Sequence, residues 1–260
     1  MKTIEDHLGR SLTYNYLPKR IISFAPAITD TLYSLNLEKK IVGRTRFCIH
    51  PKGKVEQAVN VGGTKDMKLD RVLALKPDLI IVEKEENTKE MVQQLEAYFP
   101  VFVFEVQTVA DALKMIDDLG KLTARQQEAT NLIKKIKTAF DQLPTLDVSK
   151  RAAYMIWKNP YMVVGNNTYI QSLLETLGFA NPFIAYEGRY PSVTKQDILQ
   201  ANLDYIFLAT EPFPFREKHL QEFKKIAPQA KPLIVDGEMF WYGVKMLKAA
   251  HYFRNELLSH

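Results

Sequence analysis

KLDRVLALKPDLIIVEKEENTKEMVQQLEAYFPVFVFE, residues 68–105, carries in one run the signals from which this fold is read. An amphipathic helix pattern stops at Pro77-Asp78, an apolar strand follows, and a polar loop leads into a second helix, a proline and a second strand. A short, nearly continuous apolar run suits a strand covered on both faces by helices. Residues 194–236, TKQDILQANLDYIFLATEPFPFREKHLQEFKKIAPQAKPLIVD, repeat that order with Asn202-Leu203-Asp204 at the break. The segments ahead of each also correspond: RIISFAPAITDTLYSLNL (20–37) and AAYMIWKNPYMVVGNNTYIQSLLETLGF (152–179) both end in an amphipathic helix. The repeated order implies an α/β protein of two similar lobes, each a mainly parallel sheet flanked by helices.

Strands are expected at 20–24, 40–43, 78–82, 101–105, 152–157, 161–165, 204–209 and 232–236. Between the fourth and fifth lies a helical segment, 123–143. Thr123-Ala-Arg-Gln126 matches a capping box, Leu132, Ile133, Ile136, Phe140 and Leu143 follow at helical spacing, and Pro144 ends the run. About 20 residues at ~1.5 Å each make a rod near 30 Å. It is read either as a strut between the lobes or as a helix packed on one of them. The expected organisation is a lobe over 1–122, the helix over 123–143 and a second lobe over 144–260.

With 260 residues, 46% of them hydrophobic and 25% charged, the chain can bury a large core. Its net charge of +5 is spread along the sequence and forms no basic run, so nucleic acid is not an expected partner. One cysteine, Cys48, excludes an internal disulfide. The first 20 residues contain no apolar stretch of the length a secretory signal needs, and no window approaches the ~18 apolar residues of a membrane span.

Ligands of open α/β sheets bind beyond the carboxyl ends of the strands, where helix N-termini and loops diverge. The segments following the strands are therefore the candidate site. They supply Pro26; Arg44, Arg46, Phe47 and Cys48; and Glu85 with Glu86 and Asn87 in the first half. VGGTK (61–65) adds Gly63, Thr64 and Lys65 on a loop whose paired glycines permit a tight turn. The second half supplies Trp157, Asn166-Asn167, Tyr190, Glu211, Phe213, Glu238, Phe240 and Trp241. Aromatic walls suit a bulky, partly apolar ligand, although each ring could equally fill a core. Arg44 and Arg46 suit a carboxylate or phosphate, or are simply solvated.

Signatures of catalysis are missing: there is no Gly-x-Ser-x-Gly elbow, no phosphate-binding loop and no Gly-x-Gly-x-x-Gly after the first strand. The five histidines form no i,i+4 pair, so no metal bound directly by protein ligands is expected. Cys48 and His50 lack an identifiable third group to orient them as thiol and base, which leaves a cysteine packed beneath its loop or in soft contact with a bound metal complex.

RIISFAPAITDTLYSLNLEKKIVGRT, VGGTKDMKLDRVLALKPDLIIVEKEEN and YMVVGNNTYIQSLLETLGF resemble the helical-backbone (class III) substrate-binding proteins of ABC transporters, which capture cobalamin, ferric siderophores or haem. The resemblance runs from about residue 8 to 255, and RTRFCIHP, WKNPYMVVGNNTYI, RYPSVT, EPFPFREKH and DGEMFWYG resemble loops of the cobalamin-binding branch most. It implies a non-enzymatic, monomeric protein that holds a corrinoid or iron chelate in a cleft between its lobes, requires no cofactor, and delivers the ligand to a membrane permease and ATPase complex. It also implies an acidic residue on each lobe for permease docking, here Glu90 (or Glu85 or Glu86) and Glu217. Family members work in the periplasm or at the cell surface, whereas a chain beginning at Met1 without an export signal would be cytoplasmic. Two other readings stay open here: a two-domain α/β enzyme such as a nucleotide-donor transferase, and an intracellular corrinoid or haem carrier.

Overall fold

The computed structural model describes residues 1–144 and 150–258. These residues form two compact units: Met1–Val106 with Ala110–Lys137 and Gly243–Lys245, and Gln107–Val109 with Thr138–Tyr242 and Met246–His260.

The first unit opens with a hairpin of β1 (Lys2–Glu5) and β2 (Ser11–Tyr14), absent from the expected strands. Its turn is closed by Asp6, whose Oδ1 accepts the N–H groups of Leu8 and Arg10 at 2.9 and 3.0 Å. The sheet follows: β3 (Ile21–Ser23), β4 (Ile41–Arg44), β5 (Val59–Asn60), β6 (Leu79–Glu83) and β7 (Val101–Phe104). They lie in the order β5-β4-β3-β6-β7, every neighbouring pair parallel. Helices α1 (Pro26–Ser34), α2 (Leu69–Leu75) and α3 (Lys89–Glu96) pack on β3, β4 and β7. The β-branched and aromatic residues of β6 and β7 are buried throughout, as their unbroken apolar pattern requires.

The second unit holds β8 (Ala152–Trp157), β9 (Tyr161–Val163), β10 (Ser192–Val193), β11 (Tyr205–Ala209) and β12 (Lys231–Val235), in the order β10-β9-β8-β11-β12. Here β8, β11 and β12 are parallel, while β9 is antiparallel to both β8 and β10. Its helices are α6 (Tyr169–Thr176), α7 (Lys195–Gln200), α8 (Leu220–Ile226) and α9 (Lys245–Tyr252), the last beginning on a residue of the first unit. Both sheets are thus mainly parallel and share one strand order.

The helix expected over 123–143 is present as α5 (Gln126–Asp141), but it begins three residues later than the pattern suggests, because α4 (Val109–Thr123) runs up to it. Thr123 ends α4 instead of capping α5, and its hydroxyl donates back to the Leu119 carbonyl at 2.7 Å. Ala124 then takes a left-handed φ of 55°, and the Arg125 N–H bonds the Gly120 carbonyl at 2.8 Å, the six-to-one bond of a Schellman stop. A Cβ on Gly120 would meet Ala129 Cβ at 2.7 Å, so glycine is what lets the helices turn this tightly. The sequence pattern misled because Thr-x-x-Gln also occurs within helices, where a threonine hydroxyl can satisfy the carbonyl one turn back. At ~1.5 Å per residue α5 is about 24 Å long, and through Lys137 it belongs to the first unit, burying Ala129, Leu132 and Ile136.

Candidate functional site

Because the first sheet is wholly parallel, the segments after all five strands gather at one rim. Three of them are tied together by Asn87, which is 5% exposed. Its Nδ2 donates to the carbonyls of Thr64 (2.8 Å) and Phe24 (3.3 Å), while its Oδ1 accepts the Glu83 N–H at 2.9 Å. Glu83 completes the brace: its carboxylate accepts the N–H groups of Glu85, Glu86 and Val106 at 2.7, 3.0 and 3.3 Å. Burial pushes the Glu83 carboxyl above the usual range despite these bonds. Glu83 lies outside the expected site because the apolar run of the sequence ends at Val82. The strand in fact continues one residue, pairing Glu83 with Phe104.

Pro26 occupies the first helical position of α1, where its missing N–H costs nothing. The 61–68 loop closes through Lys68 N to Val61 O (2.7 Å) and Gly63 N to Asp66 O (3.1 Å). Gly62 takes φ 114°, and a Cβ on it or on Gly63 would strike Asp66, at 2.5 and 2.0 Å. Lys65 stands exposed at the loop tip.

The loop after β4 sorts its residues sharply. Arg46 is committed to Asp66 through two bonds of 2.7 and 3.0 Å and lies 4.8 Å over the Phe47 ring. Phe47 is exposed, and Cys48, at 1%, is sealed beneath the loop with Sγ 3.2 Å from both the Thr29 and Thr45 hydroxyls. Burial raises its thiol, so Cys48 is a packing residue, which corrects its expected place among ligand contacts. Arg44 ends β4 half-buried. One guanidinium nitrogen reaches the Thr45 carbonyl at 3.1 Å, its Nε is buried without a hydrogen-bond partner, and among the described residues it has no carboxylate partner. A partly desolvated guanidinium in that condition is suited to an incoming anion.

In the second unit the rim beyond β8, β11 and β12 is aromatic. Trp157, 40% exposed, meets Phe213 edge to face at 5.6 Å, and Phe213 packs on Phe215 at 4.7 Å. Trp241 Nε1 donates to the Glu211 carboxylate at 2.5 Å, and Gly237 leaves room for the Glu211 stem. Glu238 is half-buried on the turn Gly237–Phe240, its N–H held by Asp236 at 3.0 Å. The hairpin joining β8 to β9 is clipped to α8, since Lys158 and Tyr161 both donate to Glu222.

Phe240 does not belong to this rim. It is 2% exposed, packed on Tyr154 at 4.6 Å and Phe253 at 5.2 Å, and therefore fills the core. Asn166-Asn167 also leave the site, because antiparallel β9 delivers its carboxyl end to the opposite edge of the sheet. Tyr190 precedes β10, and its neighbours Arg189 and Pro191 accept from Gly165 and Val163 on that same stretch. Glu90 and Glu217 are exposed, at the start of α3 and in the turn leading into α8. Among the described residues no cluster of three or more His, Cys, Asp or Glu is placed to hold a metal ion, and no helix is long and apolar enough to cross a membrane.

Comparison with known proteins agrees with this architecture. The profile of a family described as periplasmic binding protein matches residues 21–233. An uncharacterised ABC transporter substrate-binding lipoprotein of Bacillus subtilis, YvrC, is 25% identical over 215 residues, covering 78% of this chain and 68% of its own. A vitamin B12-binding protein of Vibrio parahaemolyticus is 24% identical over 195 residues, covering 73% of this chain and 70% of its own. Among solved structures, the molybdate-bound MolA of Haemophilus influenzae superposes with a TM-score of 0.82 at 18% identity, covering all of this chain and 92% of its own.

Proposed function

From the premise that this chain belongs to the periplasmic binding protein family, we infer that it is the substrate-binding protein of an ABC importer whose ligand is a metal-containing organic molecule. Its relatives bind substrates and do not turn them over, and the chain is not an enzyme. A corrinoid is the favoured ligand, with a haem or ferric siderophore next. The named ligand of the B12-binding relative supports that order, and so does the observation that carries the reading, an exposed tryptophan edge-on to a phenylalanine at a strand-end rim.

Trp157, Phe213 and Trp241 supply flat apolar contact for a macrocycle, and Glu211 fixes the indole of Trp241. Arg44 meets an anionic substituent, the group its geometry leaves it free to bind. Lys65 and the Gly63-Thr64 backbone supply polar contacts from a loop that Asn87 holds in place. Glu90 and Glu217 present carboxylates to the permease, and the protein works outside the cytoplasmic membrane as its relatives do. Rim groups of this kind need no resident cofactor.

The test is titration of the full chain with cyanocobalamin, haemin and a ferric siderophore, followed by tryptophan fluorescence and visible absorption. Saturable quenching by one of the three at micromolar concentration or below, weakened about tenfold or more by Trp157→Ala, is expected. A contact worth ~1.4 kcal/mol accounts for that factor. Failure of all three to bind at micromolar levels would reject the reading.

A further inference from the structure

We propose that the groove between α7 and α8 of the second unit is a docking surface for an acidic peptide segment of a protein partner. This does not depend on which ligand the rim binds. The groove, about 620 Å³, is lined from α7 by Lys195, Gln196 and Leu199 and from α8 and its leading turn by Lys218, Gln221, Glu222, Lys225 and Ile226. Its apolar part is Leu199, 40% exposed, beside half-buried Ile226.

The charge balance is one-sided. Lys195, Lys218 and Lys225 are exposed, and none has an ion-pair partner among the described residues. Among the described residues, the only carboxylate lining the groove is that of Glu222, and both of its oxygens are taken by Lys158 and Tyr161. On α7, Asp197 is likewise occupied by the Thr194 cap and the Tyr186 hydroxyl. Exposed Glu217 abuts Lys218 in sequence but does not line the groove. His219 next to it is held below the ordinary histidine range, first by burial and then by the charges of Lys158 and Lys218, which agrees with a positive local field.

Spacing favours a peptide over a bare anion. Lys218, in the turn ahead of α8, and Lys225 stand seven residues apart, about 10 Å at helical rise, and carboxylates on alternate residues of an extended segment lie about 7 Å apart, a difference that the flexible lysine side chains close. Carboxylates on alternate residues of such a segment would reach the lysines, and the aliphatic side chain between them would turn to Leu199 and Ile226. Gln196 and Gln221 each carry an amide that can both donate to and accept from peptide backbone. A lipid headgroup offers no such backbone.

Fluorescence anisotropy of the full chain with a labelled Gly-Glu-Leu-Glu-Ile-Glu-Gly peptide tests this, with its Glu-to-Gln analogue as control. Saturable binding is expected that weakens as salt rises and falls about tenfold or more in the Lys218→Glu, Lys225→Glu double variant, with a smaller loss for Lys218→Gln, Lys225→Gln. Circular dichroism of these surface variants should match the parent. Equal binding of the uncharged analogue, or binding unchanged by either double variant, would overturn the proposal. So would an absence of binding up to millimolar peptide. Retention of the protein by phosphatidylcholine vesicles containing phosphatidylglycerol, without peptide binding, would overturn it in favour of a membrane surface.

Discussion

The two sheets share a strand order but reach it by different routes. In the first, the chain leaves β3, crosses through α1 and returns parallel as β4; in the second it turns back within residues 158–160 and returns antiparallel as β9. Three residues cannot make a parallel crossover, which needs a dozen or more, so loop length alone dictates the difference. Asn159 takes the left-handed φ of 64° that so short a turn demands. The consequence is functional: every strand of the first sheet feeds one rim, while β9 withdraws its carboxyl end and leaves three strands to furnish the aromatic wall.

Beyond that divergence the halves match closely. Helices α2 and α7 each stop on a left-handed residue, Lys76 at φ 44° and Asn202 at φ 47°. Two residues later Asp78 accepts the N–H groups of Lys19 and Arg20, at 2.8 and 2.9 Å, and Asp204 accepts that of Arg151 at 2.7 Å. Arg20 and Arg151 in turn donate Nε to the last carbonyl of α2, Leu75, and to the carbonyl of Ala201, the residue that caps α7, at 2.8 and 2.9 Å. The break seen in both sequences is thus a staple between the end of a helix and the start of the central strand.

The largest effect separates core from rim within the second half. Phe240→Ala is expected to lower the stability measured by urea unfolding by about 3–5 kcal/mol, the range for truncating a buried aromatic, while Trp157→Ala costs less than about 1 kcal/mol and acts on ligand binding. A large stability loss for Trp157→Ala would return it to the core. Next comes the Asn87 brace of the first half. Asn87→Ala removes three bonds and leaves buried groups unsatisfied, so a loss of about 2 kcal/mol is expected, with faster amide exchange at Glu83 than in the rest of β6.

The twin staples are smaller and should agree. Asp78→Ala and Asp204→Ala are each expected to cost about 1–2 kcal/mol and to add independently in the double variant, given that they lie in separate units. A staple whose removal costs nothing would mark its half as having lost that part of the duplication. The smallest effects are on pH dependence. Burial would raise the Asp118 carboxyl, but bonds from His7, Lys114 and Lys121 outweigh it and hold it well below the usual range; Glu222 is lowered likewise by Lys158 and Tyr161. Both depressed carboxylates contribute stability above their unfolded pKa and lose it as pH falls through the folded one. Asp118→Asn and Glu222→Gln should each flatten the decline of Tm below about pH 4.

Much of the fold was legible because burial on both faces forces long apolar runs, and the eight strands expected from them all exist. Four were missed, β1, β2, β5 and β10, which are two to four residues long and half exposed, so propensity had little to act on. Of the site, the rim segments were legible from strand ends alone. The roles of their residues were not, since a phenylalanine two residues before another aromatic reads alike whether it faces core or solvent.

Local order, then, was written in the chain: which stretches become strands, where helices stop, and that the pattern occurs twice, because each follows from side chains within a few residues. Tertiary structure alone decided that Phe240 is covered while Trp157 stands open, that Cys48 is sealed, and that Asn87 reaches three loops. Each of these depends on what lies across a strand or a turn, tens of residues away in sequence, and no local pattern records it.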